Sequence, residues 1–90
     1  MTLRHFQYKS RLEKMTIEQI KSRLVSAYPD ATVEVEDLTG TSDHIQVFIE
    51  TVKFKGMSLL ERHRQVMGLF DQELKSGEVH ALTIKAKVKE

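Results

Sequence analysis

"SLLERHRQVMGLFDQELKSGEVHALTIKAKV" (residues 58–88) carries two hydrophobic rhythms in succession, and the change between them decides the fold. Leu59, Leu60, His63, Val66, Met67, Phe70 and Leu74 recur at three- and four-residue steps, which predicts the inner arc of a helix. Ser58 and Glu61 form a capping box that opens it, and "KSG" at 75–77 closes it. Gly68 costs ~1 kcal/mol relative to Ala inside a helix, so it either admits close backbone packing or marks a break between a longer and a shorter helix. Beyond it the period becomes two: His80, Leu82, Ile84, Ala86 and Val88 face one way, Lys85 and Lys87 the other. A strand reached through a helix implies a crossover and a parallel neighbour.

Upstream, "TIEQIKSRLVSAYP" (16–29) starts with a second capping box, Thr16 and Gln19. Ile17, Ile20, Leu24 and Tyr28 then share one helical face until Pro29 ends the run. "ATVEVE" (31–36) sets Ala31, Val33 and Val35 against Thr32, Glu34 and Glu36, and "HIQVFIET" (44–51) sets Ile45, Val47 and Ile49 against Gln46, Phe48 and Glu50. The turn-forming "DLTGTSD" between them predicts an antiparallel pair. Gly56, in the connector "VKFKGMS", is expected at a backbone conformation that side chains resist. The order is αββαβ, or αββααβ: an α+β fold with a three-stranded mixed sheet and its helices on one face. Residues 1–15 read as a flexible leader and 16–90 as one domain.

A 90-residue chain buries only ~60% of the surface it exposes when unfolded, which leaves little room for a deep catalytic cleft. Fourteen Lys and Arg against 13 Asp and Glu give no charge excess that calls for a polyanionic partner. The chain has no Cys, so it builds neither a disulfide nor an all-thiolate metal site, and a reducing, cytoplasmic-type compartment is expected. No run approaches the ~20 apolar residues of a membrane span. No nucleophile–base, phosphate-loop, dinucleotide or zinc-protease motif occurs, and the chain is read as a non-enzyme.

The four histidines carry more information. His5 is expected to be solvated, and His63, between Arg62 and Arg64, to be a boundary core residue bonded to backbone rather than a ligand. Arg62 and Arg64 are expected to point to either side of the helix, open to phosphate or to a partner's carboxylates. His44 begins the second strand and His80 the third; if those ends share a sheet margin, the two imidazoles converge. Two neutral imidazoles do not close a tetrahedral site, so another chain or small molecule must supply the rest.

"FKGMSLLERHRQVMGLF" followed by "VHALTIKA" resembles the BolA family, whose pattern is F-x-G-x-S running into R-H-R-x-V and, after a helix, H-A-L. The matching residues are Phe54, Gly56, Ser58, Arg62, His63, Arg64, Val66, His80, Ala81 and Leu82, and the likeness spans about Thr16 to Ala86. It implies a fold similar to a type II KH domain. It also implies a partnership with a monothiol glutaredoxin, sharing a 2Fe-2S cluster that glutathione helps to ligate and that the isolated chain does not carry. In that family the H-A-L histidine, here His80, supplies one ligand, and a Cys or His of the loop between the first two strands supplies another. Ser42 stands about where many members have Cys, so the resemblance passes this duty to His44. The T-P-x-x-W tail of many members is replaced by "KVKE".

Histidine in place of thiolate removes negative charge and raises a cluster's reduction potential. Imidazole binds only when neutral, so such ligation weakens in acid. The alternative reading is nucleic-acid binding, as a KH-like transcriptional regulator of the stress-response kind, with Lys53, Lys55, Arg62, Arg64, Lys85 and Lys87 as its basic surface and DNA as partner. It lacks the G-x-x-G loop with which KH domains clamp backbone. The chain alone is expected as a monomer, with a homodimer as the other state and no membrane association.

Overall fold

A computed structural model of the chain describes residues 14–90. Its elements are α1 (Ile17–Ala27), β1 (Thr32–Asp37), β2 (His44–Thr51), a 3-10 turn (Val52–Phe54), α2 (Leu59–Gly68), α3 (Asp71–Ser76) and β3 (Ala81–Val88). Both capping boxes form as the sequence predicts: Thr16 and Gln19 bond reciprocally at 3.0 and 2.9 Å, Ser58 and Glu61 at 3.1 and 2.8 Å. Each satisfies two backbone donors that a helix start would leave unpaired.

The strand order is β1-β2-β3, with β1 antiparallel and β3 parallel to the central β2. The register places Val33, Ile45, Val47, Ile49 and Leu82 on one face, and they form a single core with Ile20, Leu24, Phe54, Val66 and Phe70. Burying these side chains stabilises each by about 1.5–3 kcal/mol relative to exposure, and is what holds α1 and α2 against the sheet. The opposite sheet face carries Glu34 and Glu36 on β1, Phe48 and Glu50 on β2, and Lys85 and Lys87 on β3.

The helical run divides as one reading of Gly68 expects. Gly68 ends α2, and a Cβ built there meets nothing within 4 Å, so close packing is not its role. Gly56 has φ +83°, the left-handed conformation its sequence context predicts. The inner arc of α2 is corrected at its start: Leu59 and Leu60 are 72% and 56% exposed, whereas Val66 and Phe70 further along are buried in the core. Ile17 is likewise 37% exposed in the first turn of α1.

The leader assigned to residues 1–15 lies outside the described residues as far as 13. Lys14 and Met15 belong to the packed domain, since Met15 is buried and its N–H donates to Glu78 O at 2.9 Å. Arg23 fastens α1 to the α2–α3 junction with paired bonds to the Glu73 carboxylate at 2.7 and 3.0 Å and a third to Leu69 O. That partner holds the guanidinium pKa above its ordinary value. No helix among the described residues is long and apolar enough to cross a membrane.

Candidate functional site: a pair of strand-end imidazoles

Parallel pairing of β2 with β3 sets His44 opposite Ala81, so the residue that begins β2 and the residue just before β3 meet at the same end of the sheet. The His44 and His80 ring centres are 6.4 Å apart with the planes inclined by 30°. Both side chains are exposed. The two strand starts are tied by the backbone of Asp43, whose carbonyl accepts Ala81 N–H at 3.0 Å.

The loop before His44 is built on Asp37. One of its carboxylate oxygens accepts Thr39 and Gly40 N–H at 3.3 and 3.0 Å, and the other accepts Ser42 N–H at 2.9 Å. This places Ser42 at φ +64°, left-handed for a residue with a side chain. Asp43 then accepts Lys14 Nζ at 2.6 Å on one carboxylate oxygen and the Thr41 hydroxyl at 3.0 Å on the other. Its pKa is lowered, chiefly by the Lys14 bond, then by Thr41, with a smaller contribution from the charge His80 can carry. Lys14 and Asp43 are the site residues that sequence reasoning missed. Asp43 adjoins His44 and was open to notice, whereas nothing in the pattern ties Lys14 to the loop.

Among the described residues no group of three or more His, Cys, Asp or Glu is gathered around a metal-sized space. Two imidazoles alone would leave a tetrahedral ion two donors short. A bound metal sits ~2.1 Å from an imidazole nitrogen, so two rings on one near-tetrahedral ion have centres about 5 Å apart. The observed separation exceeds that by roughly 1 Å, within reach of a side-chain rotation at two exposed positions. The residues fit the group that the sequence resemblance implies.

The other expected site residues separate. His63 is half-buried and makes no hydrogen bond to backbone among the described residues, a correction that follows from its place on the flank of α2. Arg62 is not open to a ligand as expected: its Nε donates to Met57 O at 3.2 Å and its Nη1 to Ala86 O at 3.1 Å, clamping the start of α2 to β3. Arg64 is exposed on α2, Lys53 and Lys55 are exposed around the 3-10 turn, and Lys85 and Lys87 stand on the helix-free sheet face. The six cations are thus divided between two sides of the sheet and several elements.

The comparisons agree with this architecture. Residues 11–90 match the family model described as BolA-like protein. The chain is 38% identical over 72 residues to Protein BOLA2 of Arabidopsis thaliana, covering 79% of this chain and 75% of that one. It is 37% identical over 76 residues to a protein of Acinetobacter guillouiae encoded in the rpoN-murA intergenic region, covering 84% and 88%. Among solved structures, the BolA domain of SufE1 from Arabidopsis thaliana superposes with a TM-score of 0.72 at 35% identity, covering 80% of this chain and 90% of that one. BolA1 from Arabidopsis thaliana gives 0.72 at 28% identity, covering 89% and 93%. A mixed sheet with its helices on one side, an F-x-G-x-S to R-H-R-x-V helix start and an H-A-L strand start are therefore this chain's family marks: it belongs to the BolA family.

Proposed function

We propose that the chain is a non-enzymatic iron–sulfur assembly, trafficking or sensing partner, working in a thiol-reducing compartment of the cytoplasmic type and sharing a 2Fe-2S cluster with a monothiol glutaredoxin. The observation that carries this reading is the meeting of His44 and His80 at one sheet margin, 6.4 Å apart between ring centres. The occurrence of a BolA domain in SufE1 is in keeping with it. His80 and His44 would hold one iron, with glutaredoxin and glutathione supplying thiolates to the other. Bound in this way, the cluster supplies one-electron chemistry at a potential raised by the neutral nitrogen donors.

What this chain contributes is positional. The Ala81–Asp43 backbone bond fixes the two strand starts, and both rings are exposed, within reach of a second protein. Nucleic-acid binding draws less support, because the basic residues are dispersed and Arg62 is engaged within the fold.

Mixing the protein with a cluster-loaded monothiol glutaredoxin should change the visible absorption and circular dichroism of the cluster. His80→Ala should abolish the change with the far-ultraviolet spectrum intact, and His44→Ala should do the same. An unaltered cluster spectrum with the wild-type chain refutes the proposal; a change that survives both substitutions refutes the ligand assignment.

A further inference from the structure

Strand alternation gives the sheet a second face, turned away from the core, that no helix covers among the described residues. Thr32, Glu34 and Glu36 of β1 and Thr83, Lys85 and Lys87 of β3 are exposed on it, and Gln46, Phe48 and Glu50 of β2 are half-buried between them. The register sets these side chains in rows. Glu34, Phe48 and Lys85 make one row, an acid, an aromatic ring and a base from edge to edge. Thr32, Glu50 and Lys87 make the next row on one side, and Glu36, Gln46 and Thr83 the next on the other. Acidic charge is thus confined to β1 and β2, and basic charge to β3. Among the described residues, Glu34, Glu36, Glu50, Lys85 and Lys87 make no hydrogen bond or ion pair.

A face with opposite charges on its two margins complements itself when it is turned over about its middle strand. A two-fold axis along β2 lays β1 of each copy on β3 of the other and keeps the rows level, so Glu34 meets Lys85 of the second copy, Lys85 meets Glu34, and the two Phe48 rings meet at the centre. An axis across the strands would instead lay β1 on β1 and set Glu34 and Glu36 against acidic residues, so the charges select one orientation. We propose that this face is the contact by which two copies of the chain associate, as aligned sheets related by a two-fold axis along β2. Sheets packed in this way lie ~10 Å apart, with the Phe48 pair filling the middle. The hollow between β1 and β2, lined by Glu34, Glu36, Gln46 and Phe48, receives the Lys85 side chain of the second copy, whose apolar stem lies along the ring. Glu50 approaches its own copy near the axis, where Lys87 of the same row offsets the repulsion. Three strands with one aromatic side chain make a smaller and more polar contact than the ~800 Å² per partner of stable complexes, so the dimer is weak and exchanges with monomer.

Sedimentation of the full chain at low salt, from about 10 µM to about 1 mM, covers the range in which so small a contact shows. The average mass should rise from that of one chain toward that of two. Lys85→Glu should weaken the association about tenfold, because the symmetry turns two ion pairs into two like-charge contacts. Glu34→Lys should do the same. The double variant Glu34→Lys/Lys85→Glu puts opposite charges back across the axis and should recover the association to within about threefold of wild type. Phe48→Thr, which keeps a strand-forming residue but removes the ring pair, should also weaken it. Arg64→Glu makes the same change of net charge at an exposed position on α2 and should leave the association as in wild type.

A wild-type chain that stays single at the highest concentration overturns the proposal. A dimer that Lys85→Glu and Phe48→Thr leave unchanged also overturns it, by placing the contact on another surface. A double variant that associates no better than either charge reversal alone rules out the axis along β2. Far-ultraviolet circular dichroism checks the fold of each variant, and Phe48→Thr decides the matter if a charge reversal does not fold. No metal, cluster or second protein enters the measurement, so its outcome and that of mixing with glutaredoxin are independent.

Discussion

Arg62→Met separates a structural role for this side chain from a ligand-binding one. The guanidinium spans two backbone carbonyls: Met57 O, just before the α2 cap, at 3.2 Å, and Ala86 O on β3 at 3.1 Å. A hydrogen bond from a charged donor contributes about 1.5–3 kcal/mol when well shielded. Arg62 is half-buried, so water takes over part of each bond in the variant and the combined loss is about 2 kcal/mol. In a domain of this size that lowers Tm by roughly 8–16 °C.

Urea titration followed by far-ultraviolet circular dichroism measures the loss, and the midpoint should fall at unchanged slope. Arg64→Met, two positions away and exposed, should stay within about 0.5 kcal/mol of wild type. Arg62→Lys should recover only part of the loss, since an ammonium lacks the rigid fork that reaches both carbonyls. Equal midpoints for Arg62→Met and Arg64→Met would refute the clamp and return Arg62 to the set of cations available for a ligand.

Two further outcomes follow from the core and from the turn at the far end of the sheet. Phe54 is fully buried and meets Tyr28 edge to face at 5.3 Å, so Phe54→Ala should cost about 3–5 kcal/mol in the same urea titration; a loss under 1 kcal/mol would mean that the site collapses around the smaller side chain. The Asp30 carboxylate accepts the Thr51 hydroxyl at 2.6 Å and Val52 N–H at 3.0 Å, which together hold its pKa below the usual 3.8. The folded state thus binds that proton more weakly than the unfolded chain, and the contribution to stability is complete above pH ~4 and lost as pH falls through the lowered value. The gap in stability between wild type and Asp30→Asn should therefore narrow from pH ~5 to pH ~2, and a constant gap would contradict the assignment.

Local chemistry was legible in the sequence and long-range geometry was not. Thr16 with Gln19 and Ser58 with Glu61 announce their caps because the bonding partners sit three residues apart. Alternation in "HIQVFIET" gives the buried side of β2, since strand side chains must point to opposite faces. That β3 joins β2 rather than β1 depends on a register no short-range pattern encodes, and this register brings His44 to His80. Leu59 and Leu60 fit the helical stripe and yet stand in solvent, because periodicity does not say which turns of a helix the rest of the fold covers. Arg62 reads as a surface charge until its two carbonyl partners, one local and one on a distant strand, are seen.

Placing β2 at the centre also bears on how the chain is made. Its antiparallel partner β1 is synthesised just before it, whereas its parallel partner β3 emerges only after α2 and α3. During translation the growing hairpin therefore presents one bare ribbon of backbone donors and acceptors, backed by Ile45, Val47 and Ile49, to whatever strand is at hand. Docking of β3 closes that ribbon, and among the described residues only the outer edges of β1 and β3 are then left without a strand partner.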